Sequence, residues 1–165
     1  MDLLIKLYDL PDFAEKIDEV EQQGIQIRRA RAFEKNQILE WINNVFGNGW
    51  AGECDVAFSR QPITCFIAVA EDGIVGFACH ECTCRGFFGP IGVSEKHRRK
   101  DIGAALLAIS LMDMAAMGYA YAIVGDGSQV QTFYSRIVDV QPIDGSTPGI
   151  YSDPLKKNKN NRGSK

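Results

Sequence analysis

The stretch IGAALLAISLMDMAAMG (102–118) constrains the fold more than any other part of the chain. Its residues favour a helix, and that helix is apolar on nearly every side, so it must be buried against other structure. YAYAIVG (119–125) follows at once and reads as a strand, while RGFFGPIGV (85–93) reads as a strand before it. A helix between two strands of one sheet makes a crossover, so the second strand runs parallel to the first. No apolar run reaches the roughly 18–20 residues that would span a bilayer.

The remaining segments supply antiparallel partners. IQIRRARAF (25–33) alternates apolar and charged residues and reads as a strand. A helix is expected over 34–46, with Ile38, Ile42 and Val45 or Leu39 and Phe46 on its buried stripe, and then a loop-rich stretch over 47–62 with a short helical turn around Cys54–Phe58. ITCFIAVA (63–70) and IVGFACHE (74–81), joined by a turn containing Asp-Gly, form a hairpin. Pro90 removes a ladder donor from the strand 85–93, so that strand is expected to splay there. At the N-terminus, LLIKLY (3–8) reads as a strand, and Asp12 with Glu15 forms a capping box for a helix over 13–23. A short helix over 128–137, a strand over 138–143 and an ordered loop over 144–154 complete the order. The expected fold is α/β, with a mixed, mostly antiparallel central sheet that contains a splayed strand and is flanked by helices. Residues 1–24 form a strand–helix extension, 25–154 the main domain and 155–165 a disordered basic tail.

Charge is unevenly spread. The net charge is −3 over 165 residues. Residues 156–165 hold five basic residues and no acid, which leaves 13 basic against 21 acidic residues, or −8, in 1–155. An acidic body argues against nucleic-acid binding and suits a cationic partner. The N-terminal segment MDLLIKLYDLPD lacks the basic-then-apolar layout of a secretory signal. Five cysteines, an odd number, suggest reduced thiols in a cytoplasmic protein rather than a disulfide framework.

Against this acidic background, four basic residues gather within Lys96–Lys100, directly before the apolar helix. The first amides of a helix lack intrahelical partners and its N-terminal end is electropositive, so an anion is stabilised there. Gly103, Ala104 and Ala105 would let a phosphate approach the backbone.

The run GVSEKHRRKDIGAALL resembles the acetyl-CoA motif of the GNAT N-acetyltransferase superfamily, R/Q-x-x-G-x-G/A, placed after a strand and before a helix. Arg98 matches its first position and Gly103 its second glycine, while Arg99 and Asp101 stand where the family usually has glycine. IRRA (27–30), EDGIVGFA (71–78), FFGPIGV and TFYSRIVDVQPI (132–143) resemble further family elements in the same order. The N-terminal strand–helix and the loop GSTPGIY are similar to features of bacterial members.

The resemblance implies acetyl transfer from acetyl-CoA, as acyl-donor substrate, directly to a primary amine of a small molecule or peptide. It implies pantetheine held along Ile91, Gly92 and Val93, and pyrophosphate held by Arg98, Arg99, Lys100, Asp101, Ile102, Gly103 and Ala104, with Phe133 beside the coenzyme. It implies Tyr134 as the general acid for the departing thiolate. Glu53, His80 and Asp126 are alternative general bases, and a water relay would need none of them. The loops 47–62 and 144–151 are candidate walls of the acceptor pocket.

CHECTC (79–84) groups Cys79, His80, Cys82 and Cys84, but zinc sites usually pair two separated ligand knuckles, so no metal is expected. Two other readings stay open: a non-catalytic acyl-CoA-binding or regulatory module on the same fold, and an N-terminal strand–helix that mediates homodimer formation.

Overall fold

The computed structural model describes residues 1–155. The tail expected to be disordered lies, from residue 156 onward, outside the described residues. Seven strands make one sheet: β1 (Leu3–Lys6), β2 (Gln26–Arg29), β3 (Cys65–Ala70), β4 (Gly73–His80), β5 (Phe87–Val93), β6 (Tyr121–Val124) and β7 (Val140–Pro142). Their spatial order is β2-β3-β4-β5-β6-β1-β7. The described pairings are antiparallel except β5–β6, which is parallel as the buried helix between those two strands requires.

Five helices flank the sheet: α1 (Ala14–Gln22), α2 (Lys35–Phe46), α3 (Asn48–Ala57), α4 (Ile102–Ala116) and α5 (Gln131–Ser135). The alternation of β3 assigns its residues to two cores. Phe66 and Ala68 join Ala78 of β4 and Phe88 of β5 beneath α4, whose Leu106, Leu107, Leu111 and Met114 are fully buried. Cys65 and Ile67 join Phe77 and Cys79 on the opposite face, under Ile38 and Ile42 of α2 and Cys54 and Ala57 of α3. Each large aliphatic side chain so buried contributes about 1.5–3 kcal/mol relative to exposure. Among the described residues, no helix is long and apolar enough to cross a membrane.

Several boundaries differ from the sequence reading. The stretch expected to be mostly loop over 47–62 contains the ten-residue helix α3. Gly49 and Gly52 disfavour a helix by propensity, but burial of Cys54 and Ala57 and the stack of Trp50 on Phe46 (ring centroids 5.2 Å apart) hold it. The first strand ends at Lys6, where a 3-10 turn over Leu7–Asp9 begins. The helix expected over 128–137 divides into a 3-10 turn, Gly127–Val130, and the short α5. The expected capping box does not form among the described residues: Phe13 is the N-cap, and Asp12 Oδ1 accepts instead from the Ala14 N–H at 2.9 Å, a local turn in which Glu15 takes no part.

The N-terminal unit is continuous with the sheet. Leu3, Leu4 and Ile5 pair with Val124, Ile123 and Ala122 on one side and with Pro142, Gln141 and Val140 on the other. Both edges of β1 are thus occupied within the chain, and its edge is closed to strand pairing with a second copy.

Candidate active site

The parting of two strands creates the site. β5 pairs with β6 only at Phe87↔Ile123 and Phe88↔Val124. Beyond Phe88, β5 stays with β4 through Ile91↔Ala78, Gly92↔Phe77 and Val93↔Gly76, and it leaves β6. The splay expected at Pro90 is therefore present, and the β6-facing backbone of residues 89–93 opens onto a cleft of about 1070 Å³. A Cβ at position 92 would stand 2.6 Å from the Phe46 ring, so any larger residue there would have to displace that ring.

One end of the cleft is the turn into α4. Arg99 (φ 61°) and Asp101 (φ 57°) both have left-handed backbones. These are the two positions where the related motif carries glycine, so the glycine-like path is kept by residues that adopt it at a cost of about 1–2 kcal/mol each. The Asp101 carboxylate lies 3.9 Å from Lys16 Nζ on α1. The first intrahelical bond runs from Ala105 N–H to the Asp101 carbonyl at 3.0 Å, which leaves the amides of Ile102, Gly103 and Ala104 as the free donors of the first turn. Gln23, the residue that follows α1, donates its side-chain N–H to the Lys100 carbonyl at 3.4 Å, a second contact from this segment to the turn. A Cβ on Gly103 would sit 3.4 Å from the Phe133 ring.

The middle of the cleft holds Tyr134, which packs edge-on against Phe88 and Phe133 with centroids 6.2 and 5.1 Å away. Burial pushes its phenol well above the usual tyrosine range, so it keeps its proton. Among the described residues, its hydroxyl has no hydrogen-bond partner.

The opposite end is acidic and assembled from distant segments. Glu53 on α3 accepts from Thr83 Oγ1 at 3.0 Å. Asp126, itself left-handed (φ 49°), follows β6 and donates its backbone N–H to Asp2 Oδ1 at 3.0 Å. Tyr151 closes this end beside Gly125, where a Cβ would stand 3.0 Å from its hydroxyl. Burial, and then the carboxylates of Glu53, Asp2 and Asp126, raise the Tyr151 phenol.

The cleft gathers most of the residues read from the sequence. Ile91, Gly92, Val93, Arg98, Arg99, Asp101, Ile102, Gly103, Ala104, Phe133, Tyr134, Glu53 and Asp126 all line it. Two expected residues do not. Lys100 is exposed and is not among the lining residues. His80 is fully buried away from the cleft, with Nε2 2.9 Å from Asp113 of α4. Arg29 of β2 pairs with the same carboxylate, and burial depresses the His80 pKa. The reason is alternation: His80 shares the face of Ala78, turned toward α4. The sequence reading did not single out Lys16 or Tyr151, and neither carries a local motif.

The fold that carries this cleft, a mixed and mostly antiparallel sheet with one parallel pair, is GNAT-like. Residues 61–137 match the family model described as the acetyltransferase (GNAT) domain. Solved structures share the architecture. A glucosamine N-acetyltransferase region in a fungal multi-domain β-N-acetylglucosaminidase is 15% identical with a TM-score of 0.68, over 85% of this chain and 19% of that one. A GCN5-related N-acetyltransferase from Sphaerobacter thermophilus is 21% identical with a TM-score of 0.54, over 74% of this chain and 40% of that one. The GNAT-family YhbS from Escherichia coli, solved with CoA, is 20% identical with a TM-score of 0.52, over 68% of this chain and 67% of that one. The chain thus spans only about a fifth to two fifths of the length of the first two. No curated protein matches it in sequence.

Proposed function

We propose that this chain is an acetyl-CoA-dependent N-acetyltransferase that moves an acetyl group directly to a primary amine of a small molecule or peptide. The observation that carries this reading is the continuity of the cleft, from a helix N-terminus with free amides, along an unpaired strand edge, to an acidic pocket. The CoA complex of the E. coli fold relative supports the choice of donor.

Acetyl-CoA supplies the activated thioester. Arg98 and Arg99 beside the free α4 amides would hold its pyrophosphate, and Gly103 leaves room for it. The open edge of residues 89–93 offers backbone groups to the amides of pantetheine. Lys16, 3.9 Å from the Asp101 carboxylate, offsets part of the repulsion that this acid would otherwise present to an anion.

A neutral amine attacks the thioester carbonyl, the C–S bond breaks and the nitrogen sheds one proton. Tyr134 is the general acid. Its raised pKa suits hydrogen-bond donation to the departing sulfur better than complete loss of its proton. The proton shed by the amine then balances the thiolate. Glu53 and Asp126 remain the base candidates within the cleft. Their charges also favour an acceptor that arrives as a cation. Five free cysteines among the described residues fit a reducing compartment, the cytoplasm.

A panel of polyamines, amino acids, aminoglycosides and peptides, assayed for release of free CoA, tests the reading. Amine-dependent release is expected. Micromolar acetyl-CoA binding with no release across the panel would establish the non-catalytic module instead.

A further inference from the structure

The folded chain brings together three cysteines that lie far apart in sequence. Cys54 comes from α3, while Cys65 and Cys79 are cross-strand partners on β3 and β4. All three are fully buried, and their sulfurs lie within 4.8 Å of one another. Cys79 Sγ is 3.4 Å and Cys65 Sγ 3.7 Å from Cys54 Sγ. Thiolates about 2.3 Å from a tetrahedral Zn²⁺ stand about 3.8 Å apart, so the cluster is already near ligand geometry. A fourth thiol is at hand. Cys82 forms a Cys-x-x-Cys pair with Cys79, is almost fully buried, and points its Sγ at the His80 carbonyl 3.3 Å away.

We infer that Cys54, Cys65 and Cys79 form a structural Zn²⁺ site, completed by Cys82 turning from the His80 carbonyl to the metal. Each coordinating thiol releases a proton to solvent on binding. A buried thiol on its own serves as a small apolar core residue. The convergence of these thiols from three elements, beside a Cys-x-x-Cys pair, is what distinguishes a ligand set. The hairpin cluster 79–84 by itself offers no second, separated ligand pair. The folded chain instead pairs Cys79 with cysteines from two other segments.

The site has a functional consequence. Glu53 and Trp50, which wall the cleft, sit on the same helix as Cys54, so the metal would pin that wall to β3 and β4.

Full-length reduced protein would be stripped with a chelator and titrated with Co²⁺ as an optical stand-in for Zn²⁺. The expected result is one equivalent bound with intense thiolate-to-cobalt charge-transfer absorption, displaced by one equivalent of Zn²⁺. Cys79→Ser should lose at least about 100-fold in affinity, and Cys84→Ser should be unchanged. Cys82→Ser should lose the tetrahedral signature, and an intact spectrum in that variant would remove Cys82 from the site. The wild-type titration does not depend on any variant folding. Absence of the charge-transfer band in folded wild type with all five thiols reactive after denaturation would overturn the site. Neither readout uses an acyl donor, so the result stands apart from the proposed acetyl transfer.

Discussion

The two ends of the cleft are built in opposite ways. The basic end is contiguous: Arg98, Arg99, Asp101 and the first turn of α4 fall within seven residues, 98–104, and only Lys16 and Gln23 reach in from elsewhere. The acidic end draws Asp2, Glu53, Asp126 and Tyr151 from four separate segments. One end depends on local backbone conformation and the other on the packing of the whole sheet. Substitutions should therefore act differently at the two ends, with Tyr134 between them as the point where both must be in place.

The largest effect is expected there. Tyr134→Phe should lower kcat about 10- to 100-fold while CoA affinity stays within about twofold, as measured by steady-state kinetics and calorimetry. Unchanged turnover with chemistry rate-limiting would remove the phenol from the reaction. At the basic end, Arg98→Glu with Arg99→Glu should weaken CoA binding about tenfold or more at low salt, with the loss shrinking as salt rises. Binding that ignores both charges would place the pyrophosphate elsewhere. At the acidic end, Glu53→Gln should raise the KM for a cationic amine about threefold to tenfold and leave CoA affinity unchanged. A matched loss of CoA affinity would erase the division between the ends. The smallest effect is on stability. Arg99→Gly should raise Tm by about 2–4 °C by relieving a left-handed backbone, and Asp101→Gly by less, since Asp tolerates that region better.

How much of this was legible follows the same division. The α4 turn could be read because the relevant residues are consecutive, and Pro90 could be read as a splay because a missing donor acts locally. The helix α3 was read as mostly loop, because Gly49 and Gly52 speak against it locally while the burial that holds it comes from β3 and β4. His80 was placed among base candidates by residue type, whereas strand alternation turns it toward Asp113 and away from the cleft. Tyr151 was legible only as part of the candidate wall loop 144–151, because its own position depends on that loop returning to Gly125 and Asp126.

The crossover is encoded locally: an apolar helix between two strands has to be buried against the sheet, and a crossover makes the two strands parallel. The sequence by itself also determined the basic turn before that helix, since charge and helix start are both local properties. Tertiary structure alone decided that β1 lies inside the sheet, that Lys16 holds Asp101, and that Cys54, Cys65 and Cys79 meet. Those are contacts between residues distant along the chain, and nothing in local propensity encodes which distant residues the packing of a sheet will bring together.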